Sequence, residues 1–219
     1  MDEQSFLNRI RAYRSAVSAS DLPGPPSPPK LSQRDLADRL SQELAAVGGI
    51  VHRVSSLEDA RVKIAKVFRG LKARHIIRTG APIFDEMKLD RALFEAGVGY
   101  RACGLKADTR EAIRDAAFSA HAGLTAVDFG VAETGTLVLL ARPAEGRAVS
   151  LVPPIHLGVL RARDIVLELG ELFERVRARQ DGLPSALTFV TGPSSTADIE
   201  LVHTVGVHGP RELHLVLLD

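Results

Sequence analysis

The stretch Thr191-Gly-Pro-Ser-Ser-Thr-Ala-Asp-Ile-Glu200 follows a short apolar run, residues 186–190, that is typical of a buried strand. Gly192 and Pro193 predict a sharp turn directly after that strand. Open α/β sheets bind ligands at the carboxyl ends of their strands. In an open α/β sheet, the turn therefore predicts the position of a ligand site.

Hydroxyl and carboxyl side chains follow that turn. Ser195, with Asp198 three residues later, resembles a helix N-cap with an acidic partner. A cap of this kind points several backbone N–H groups at one spot, which favours an anion. A plainer alternative stays open, in which the hydroxyls only cap a surface turn. The predicted ligand contacts in this stretch are Thr191, Gly192, Ser194, Ser195, Thr196 and Asp198.

A second stretch, Val127-Asp-Phe-Gly-Val-Ala-Glu-Thr-Gly-Thr-Leu-Val-Leu-Leu140, predicts a strand, a tight turn and another strand. The turn is too short for a helical crossover, so we expect an antiparallel hairpin. Glu133 leads into the turn, where a carboxylate can act as a general base, a nucleophile or a hydrogen-bond acceptor. The residues expected to share one pocket with the loop 191–196 are Glu133, Thr134, Gly135 and Thr136.

Two histidines stand close to prolines in the last third of the chain. His156 closes Leu151-Val-Pro-Pro-Ile-His156, and His208 lies in Gly206-Val-His-Gly-Pro210. Both are candidates for substrate contact or proton transfer, because imidazole titrates near neutral pH. The alternative is that they hydrogen-bond backbone groups beside a turn. No pair has the tight ligand spacing of a zinc site, so we expect no bound metal.

Four motifs occur in one order along the chain: Asp128-Phe-Gly-Val-Ala-Glu-Thr-Gly-Thr-Leu-Val-Leu139, Leu151-Val-Pro-Pro-Ile-His156, the 191–200 stretch and the 206–210 stretch. In these motifs, the last two thirds of the chain closely resemble the LUD domain of the lactate-utilisation protein C family (LutC, also called YkgG). The resemblance implies a three-layer α/β/α fold similar to the NagB/RpiA/CoA transferase-like group, which includes glucosamine-phosphate deaminase and ribose-phosphate isomerase. It also implies a role beside two iron–sulfur partner proteins in oxidising L-lactate to pyruvate. It carries no catalytic residue over to this chain.

Helix and strand patterns alternate along the rest of the chain. Helices are predicted at 32–47, 56–68, 90–96, 109–118 and 164–179, with Ser56 and Asp59 as a capping pair for the second and Asp108 or Thr109 as the cap of the fourth. Strands are predicted at 50–54, 74–78, 99–103 and 213–218. This alternation predicts a mostly parallel sheet with helices on both faces. The run 213–218 is apolar at every position except His214 and is expected inside the sheet. Together these elements predict one α/β domain, 31–219.

The first thirty residues have a different pattern. Residues 2–18 predict an amphipathic helix, with Phe6 and Ile10 among the apolar side chains on one face. Residues 21–30 hold five prolines and are expected to run extended as a linker. The apolar stripe of this N-terminal helical arm either folds back on the same domain or lies in a groove of another subunit. A homo-oligomer formed through the arm is therefore one expectation.

Composition narrows the class of protein. Hydrophobic residues make up 45% of the 219 residues, which fits one domain with a single core. The formal net charge of +1 gives no electrostatic case for binding nucleic acid or an anionic membrane surface. No apolar run approaches the roughly 20 residues of a membrane helix, and no secretion signal is evident. We therefore expect a cytoplasmic protein without a membrane span.

Cys103 is the one cysteine of the sequence. One thiol cannot form an intramolecular disulfide or a self-contained four-cysteine iron–sulfur cluster. We therefore expect no cofactor bound by this chain alone, and iron–sulfur clusters in its partner proteins. Cys103 itself is expected to be an ordinary buried core residue.

Three functions stay open at this point. The first is an accessory or non-redox subunit of an L-lactate utilisation system that binds a small carboxylate or phosphate-bearing ligand. The second is a stand-alone enzyme acting on a sugar phosphate or a CoA thioester. Glu133-Thr-Gly135 resembles the glutamate loop of CoA transferases, although their glycine-rich CoA signature is not evident. The third is a regulatory interaction module whose N-terminal arm binds a partner.

Overall fold

The computed structural model describes residues 4, 5, 8, 9, 31–104, 109–142, 146–180, 182–197, 203–205 and 208–219. The chain divides into two units, Met1–Lys30 and Leu31–Asp219. In the first unit, the described residues Gln4, Ser5, Asn8 and Arg9 are helical. The predicted apolar stripe with Phe6 and Ile10, and the linker 21–30, lie outside the described residues. The architecture below is that of the second unit.

The central layer is a six-stranded sheet in which all neighbouring strands are parallel. The predicted, mostly parallel sheet is thereby confirmed. From one edge to the other, its strands are β1 (Ile50–Val54), β12 (Glu212–Leu218), β7 (Ile155–Arg161), β4 (Ala122–Ala126), β2 (His75–Arg78) and β3 (Gly99–Ala102).

Helices cover both faces of this sheet, which confirms the predicted three-layer α/β/α arrangement. One face is covered by α2 (Leu57–Gly70), α3 (Pro82–Glu86) and α4 (Leu89–Glu95). The other face is covered by α1 (Gln33–Ala46), α5 (Arg110–Ser119) and α6 (Ala148–Leu151). None of the described helices combines the length and the apolar character needed to cross a bilayer.

Side-chain caps explain where three of these helices begin. The Ser32 hydroxyl accepts the Asp35 N–H at 3.2 Å, and the Asp35 carboxylate accepts the Ser32 N–H at 3.3 Å, so α1 starts with a capping box. Ser56 accepts the Asp59 N–H at 3.0 Å at the start of α2. Thr109 caps α5 in the same way. The predicted caps at Ser56 and Thr109 are confirmed.

A second, four-stranded sheet lies beside the first. Its strands, in order, are β8 (Ile165–Val166), β5 (Phe129–Val131), β6 (Thr136–Leu140) and β9 (Leu187–Val190). β5 and β6 form the predicted antiparallel hairpin, which is confirmed. One face of this small sheet packs towards α1, and the other packs against α7 (Leu169–Arg177).

Three element predictions need correction around the small sheet. The helix expected at 164–179 begins only at Leu169, because Ile165–Val166 is drawn out as a strand beside β5. The run 186–190 is not a buried strand of the parallel sheet, since β9 is an edge strand of the small sheet and Phe189 is 44% exposed. Ser195 is not a helix N-cap. Its segment β10 (Ser195–Ala197) pairs with β11 (His203–Val205), so its backbone groups bond across a ladder instead.

Substitution of Gly123 by alanine is expected to destabilise the fold by about 3 kcal/mol or more. A Cβ at this position of β4 would lie 1.8 Å from the Val149 carbonyl oxygen, so α6 would have to leave the sheet. Gly70→Ala is the matched control, because nothing lies within 4 Å of its added Cβ. Urea unfolding of both variants measures the difference. Similar stabilities for the two would contradict the close contact of α6 with β4.

Candidate functional site

The hairpin turn between β5 and β6 and the loop after β9 meet at one end of the small sheet. Thr134 Oγ1 lies 2.7 Å from Thr136 Oγ1, and Thr136 Oγ1 lies 2.7 Å from Thr191 Oγ1. The register explains this meeting, since Leu137 is paired with Val190 and the next residues on each strand are Thr136 and Thr191. The structure thus brings together hydroxyls from both predicted segments.

This end of the small sheet rests on the last turn of α1. Gly135 has a φ of +66°, and an added Cβ there would lie 2.4 Å from the Leu44 backbone nitrogen. Gly192 has a φ of +91°, and its Cβ would lie 2.7 Å from the Val47 carbonyl oxygen. Both positions require glycine because the backbone is left-handed and the contact is with another backbone. Packing alone therefore explains these two predicted site glycines.

Glu133 and Thr134 are exposed, whereas Thr136 is buried. The Glu133 N–H donates to the Leu167 carbonyl oxygen at 3.0 Å, which fixes its backbone and leaves its carboxylate at the surface. None of these residues lines either of the two cavities described below.

The remaining predicted contacts are spread along the next segment. The Ser194 N–H donates to the Pro210 carbonyl oxygen at 2.8 Å, which ties this loop to the segment that carries the exposed His208. Ser195 and Thr196 lie in β10, and Asp198 lies outside the described residues. Convergence of the whole predicted set on one cleft stays a prediction.

His156 lies inside the parallel sheet and not in a loop beside its prolines. It is the second residue of β7 and is fully buried, and its Nε2 lies 2.8 Å from Thr125 Oγ1 on β4. Its Nδ1 has no hydrogen-bond partner among the described residues. Burial lowers the pKa of His156 to about 4, so the imidazole is neutral at physiological pH.

A cavity of about 770 Å³ opens at the carboxyl ends of β2, β4 and β7. After β2 the chain continues into α3 and α4 on one face of the sheet, and after β4 it enters the small sheet on the opposite face. Open α/β sheets bind ligands where neighbouring connections diverge in this way. This edge cavity is lined by Gly80, Ala81, Pro82, Ile83, Glu86, Gly104, Ala126, Val127, Arg142, Val159, Arg161, Arg163 and Asp164.

Three arginines are among the residues that line the edge cavity. Arg161, the last residue of β7, lies 2.5 Å from Glu86 of α3, measured from Nη2 to Oε2. Arg142 forms an ion pair with Asp128, whose carboxylate also accepts the Leu140 N–H at 2.7 Å. These carboxylates hold two of the guanidinium groups at the cavity in fixed positions.

The third arginine, Arg163, has a side chain that is 75% exposed, and its Nε lies 3.9 Å from Asp164 Oδ2. Burial raises the pKa of Asp164, although the neighbouring Arg163 and Arg161 act in the opposite direction. Each of the three guanidinium groups thus has a carboxylate neighbour, Asp128, Glu86 or Asp164, so these charges balance. A guanidinium group has five N–H donors, more than one carboxylate accepts, so these arginines are the groups that an anion in the cavity would contact.

A smaller pocket of about 30 Å³ adjoins the edge cavity, since Ala126 lines both and Thr79 directly precedes Gly80. It is termed the hydroxyl pocket after Thr79, Thr125 and Ser150, which are all buried. Thr79 Oγ1 has no hydrogen-bond partner within the described part of the chain. The remaining lining residues are Ala126, Asp128, Leu139, Leu140, Ala141, Gly146, Arg147 and Thr188.

Sequence reasoning missed both cavities because their residues belong to separate elements. The arginines at 142, 161 and 163 fall in none of the predicted site segments. Two weak signals were present. Thr79-Gly80 follows the predicted strand 74–78, and Arg161-Ala-Arg163 follows the apolar run 157–160, so each pair stands at the carboxyl end of a strand.

The family described as LUD domain matches residues 37–218. The chain belongs to the LUD domain family. Lactate utilization protein C of Deinococcus radiodurans is 32% identical over 226 residues, which cover 98% of this chain and 96% of that protein. Lactate utilization protein C of Halalkalibacterium halodurans is 33% identical over 171 residues, which cover 76% and 71%. The family resemblance read from the four motifs is confirmed.

A solved structure extends the likeness of this LUD domain to the fold. The crystal structure of a DUF162 family protein from Deinococcus radiodurans matches with a TM-score of 0.61 and 26% identity, covering 87% of this chain and 100% of that one. This match supports the α/β architecture. The finer likeness to the NagB/RpiA/CoA transferase-like group stays a prediction.

Acidification from about pH 7.5 to about pH 5 is expected to lower the free energy of unfolding of this LUD domain. The pKa of His156 is about 4 in the fold, below the ordinary value of 6.5, so the unfolded chain binds more protons between these values. The contribution of neutral His156 to the free energy of unfolding is therefore fully present above about pH 6.5 and is lost as the pH falls towards 4. His52, whose pKa is also lowered by burial, acts in the same direction.

Urea unfolding of the wild type and of His156→Gln at both pH values measures this effect. Glutamine does not titrate and keeps a polar group for Thr125, so the stability of the variant should change less with pH. An equal change in the two proteins would show that His156 is not held neutral in the core.

Proposed function

We propose that this LUD domain protein serves L-lactate utilisation as a component without a redox centre of its own, binding a carboxylate- or phosphate-bearing ligand in the edge cavity. The relatives named lactate utilization protein C support the assignment to lactate utilisation. The observation that carries the binding role is the group of three arginines at the diverging ends of β2, β4 and β7.

The arrangement of the arginines supports binding of an anion. Arg161 and Arg142 are each held by a carboxylate, so little side-chain entropy is lost when a ligand binds. Arg163 is largely exposed and can close over a ligand from the side of the cavity. A ligand carboxylate or phosphate would take two parallel hydrogen bonds from a guanidinium group.

The volume of the edge cavity bears on the size of the ligand. L-Lactate has six heavy atoms, and at roughly 30 Å³ each, the share of one water in the liquid, it would fill about 180 Å³. The cavity of about 770 Å³ is several times larger. A sugar phosphate or a CoA thioester therefore belongs in any binding test beside lactate and pyruvate.

Electron transfer is assigned to partner proteins in this proposal. Cys103, the one cysteine of the sequence, is 1% exposed and packs in the core with Ile77 and Ala117. A thiol in that position offers no surface ligand for a cluster shared with another chain. The oxidation of lactate would then take place on iron–sulfur partners, with this chain supplying or sensing an anion of the same pathway.

Arg161→Gln is expected to weaken binding of the anion by about tenfold, since a charge-assisted hydrogen bond is lost. Arg91→Gln is the control, because Arg91 also pairs with a glutamate, Glu95, at 2.8 Å and does not line the cavity. Isothermal titration with L-lactate, pyruvate, ribose 5-phosphate and acetyl-CoA measures the affinities. Growth of a deletion strain on L-lactate, complemented with each variant, measures the function.

The outcomes separate the alternatives. Binding of lactate or pyruvate that depends on Arg161, together with failed growth of that variant, supports the proposal. Turnover of ribose 5-phosphate or acetyl-CoA by the isolated chain would favour a stand-alone enzyme. Normal growth of the deletion strain on L-lactate would refute the assignment to lactate utilisation.

We also propose that Glu133 and the hydroxyl chain of Thr134, Thr136 and Thr191 form a contact surface for the ligand or a partner. The support is local: an exposed carboxylate stands beside hydroxyls that two separate segments bring together. This surface lies at the end of the small sheet and does not line the edge cavity, so variants can test it separately.

Glu133→Gln is expected to keep the melting temperature within about 2 °C of the wild type while reducing growth on L-lactate. The carboxylate is exposed, and glutamine keeps its shape, so the substitution removes only the charge. A thermal melt and the same complementation assay measure both effects. Full complementation with a strongly lowered melting temperature would make Glu133 a structural turn residue.

A further inference from the structure

The hydroxyl pocket contains a buried group that the fold itself does not use. Thr79 is 4% exposed, and its hydroxyl oxygen has no hydrogen-bond partner among the described residues. A buried hydroxyl without a partner costs stability, and valine has nearly the same shape without that cost. The hydroxyl of Thr79 is therefore free to bond to a group that enters the pocket.

His156 determines how Thr125 presents its hydroxyl. Nδ1 of His156 has no partner among the described residues, and an orphaned N–H is rarer in proteins than an orphaned acceptor. The favoured tautomer therefore carries its hydrogen on Nε2, which donates to Thr125 Oγ1 at 2.8 Å. Because its oxygen then accepts from the imidazole, the Thr125 hydroxyl keeps its own hydrogen for the pocket.

Asp128 supplies the acceptor of the hydroxyl pocket. Its carboxylate lines the pocket together with Arg147, and it already accepts from the Leu140 N–H and from Arg142. A hydroxyl that enters the pocket can donate to the carboxylate where it has a lone pair left. The pocket thus presents two hydroxyl donors and one carboxylate acceptor, a pattern that complements an alcohol group.

We propose that the hydroxyl pocket is the subsite for the alcohol group of a small hydroxy acid whose carboxylate binds the arginines of the edge cavity. Ala126 lines both cavities, and Asp128 of the hydroxyl pocket pairs with Arg142 of the edge cavity, so a ligand that spans the two would place its carboxylate at Arg142. At a share of roughly 30 Å³ for each water-sized group, the pocket of about 30 Å³ holds about one such group, which suits the end of a ligand and not the whole of it. The choice of a hydroxy acid rests on the proposed function.

The test compares L-lactate with propionate, which lacks only the hydroxyl group. Titration calorimetry of the full chain is expected to show about tenfold tighter binding of L-lactate, the effect of one well-made set of hydrogen bonds. Thr79→Val should weaken the binding of L-lactate by about threefold to tenfold and leave the affinity for propionate unchanged. Thr79→Ser keeps the hydroxyl and should restore the preference.

A stability measurement separates this role from a structural one. Because Thr79 Oγ1 has no partner within the described residues, Thr79→Val should melt at the same temperature as the wild type or higher. A lower melting temperature, with equal loss of both acids, would make Thr79 a packing residue and overturn the subsite. Equal affinity of the wild type for L-lactate and propionate would also overturn the subsite. It would not contradict binding of the carboxylate by the arginines of the edge cavity.

A second measurement distinguishes failure of the subsite from failure of the proposed function. A high-resolution crystal structure of the ligand-free protein is expected to show a water bonded to both Thr79 Oγ1 and Thr125 Oγ1. If that water is present and neither acid binds, the hydroxy acid is wrong. Titration with pyruvate, ribose 5-phosphate and acetyl-CoA then decides whether the anion site of the proposed function fails with it. A dry pocket, or one closed by side chains, would overturn the subsite whichever acids bind.

Discussion

The pairing of β12 between β1 and β7 is the interaction on which the rest of the domain depends. Among the described strands β12 is the last and β1 the first, and they pair through the register from Ile50 with His214 to Val54 with Leu218. Its side chains are buried from Leu213 onward. They alternate between the two faces of the sheet, where they pack towards α1 on one face and towards α2 on the other. Strands so far apart in sequence meet at a high entropic cost, so this burial must offset it.

The cavities follow from the way the chain leaves this sheet. Connections after β2 and β4 depart on opposite faces, and the gap between them leaves polar side chains at the strand ends. Asp128 links the two cavities, because it lines the hydroxyl pocket while its partner Arg142 lines the edge cavity. By accepting the Leu140 N–H as well, the same carboxylate fixes the end of β6 beside both.

The local sequence pattern predicted most helices and strands. It could not predict which strands belong to which sheet. Caps at Ser56 and Thr109, the hairpin and the interior strand at 213–218 each depend on neighbours in sequence. The chain leaves the parallel sheet after Ala126 and enters the small sheet at Phe129, yet only Asp128 interrupts the apolar run there, and no glycine or proline marks the change of sheet. Nor does any local signal tell that three arginines, between positions 142 and 163, meet at one cavity.

Some residues of the motifs that identify the family are required by backbone packing. In the Glu-Thr-Gly-Thr and Thr-Gly-Pro-Ser turns, Gly135 and Gly192 lie against the backbone of α1 with positive φ, so a side chain at either would collide with it. Such glycines identify the fold without naming a ligand. The groups that this fold leaves unsatisfied, above all the buried Thr79 hydroxyl, belong to no such motif. The family motifs of this domain therefore indicate how the small sheet packs on α1. Buried polar groups without a hydrogen-bond partner indicate where a ligand can bind.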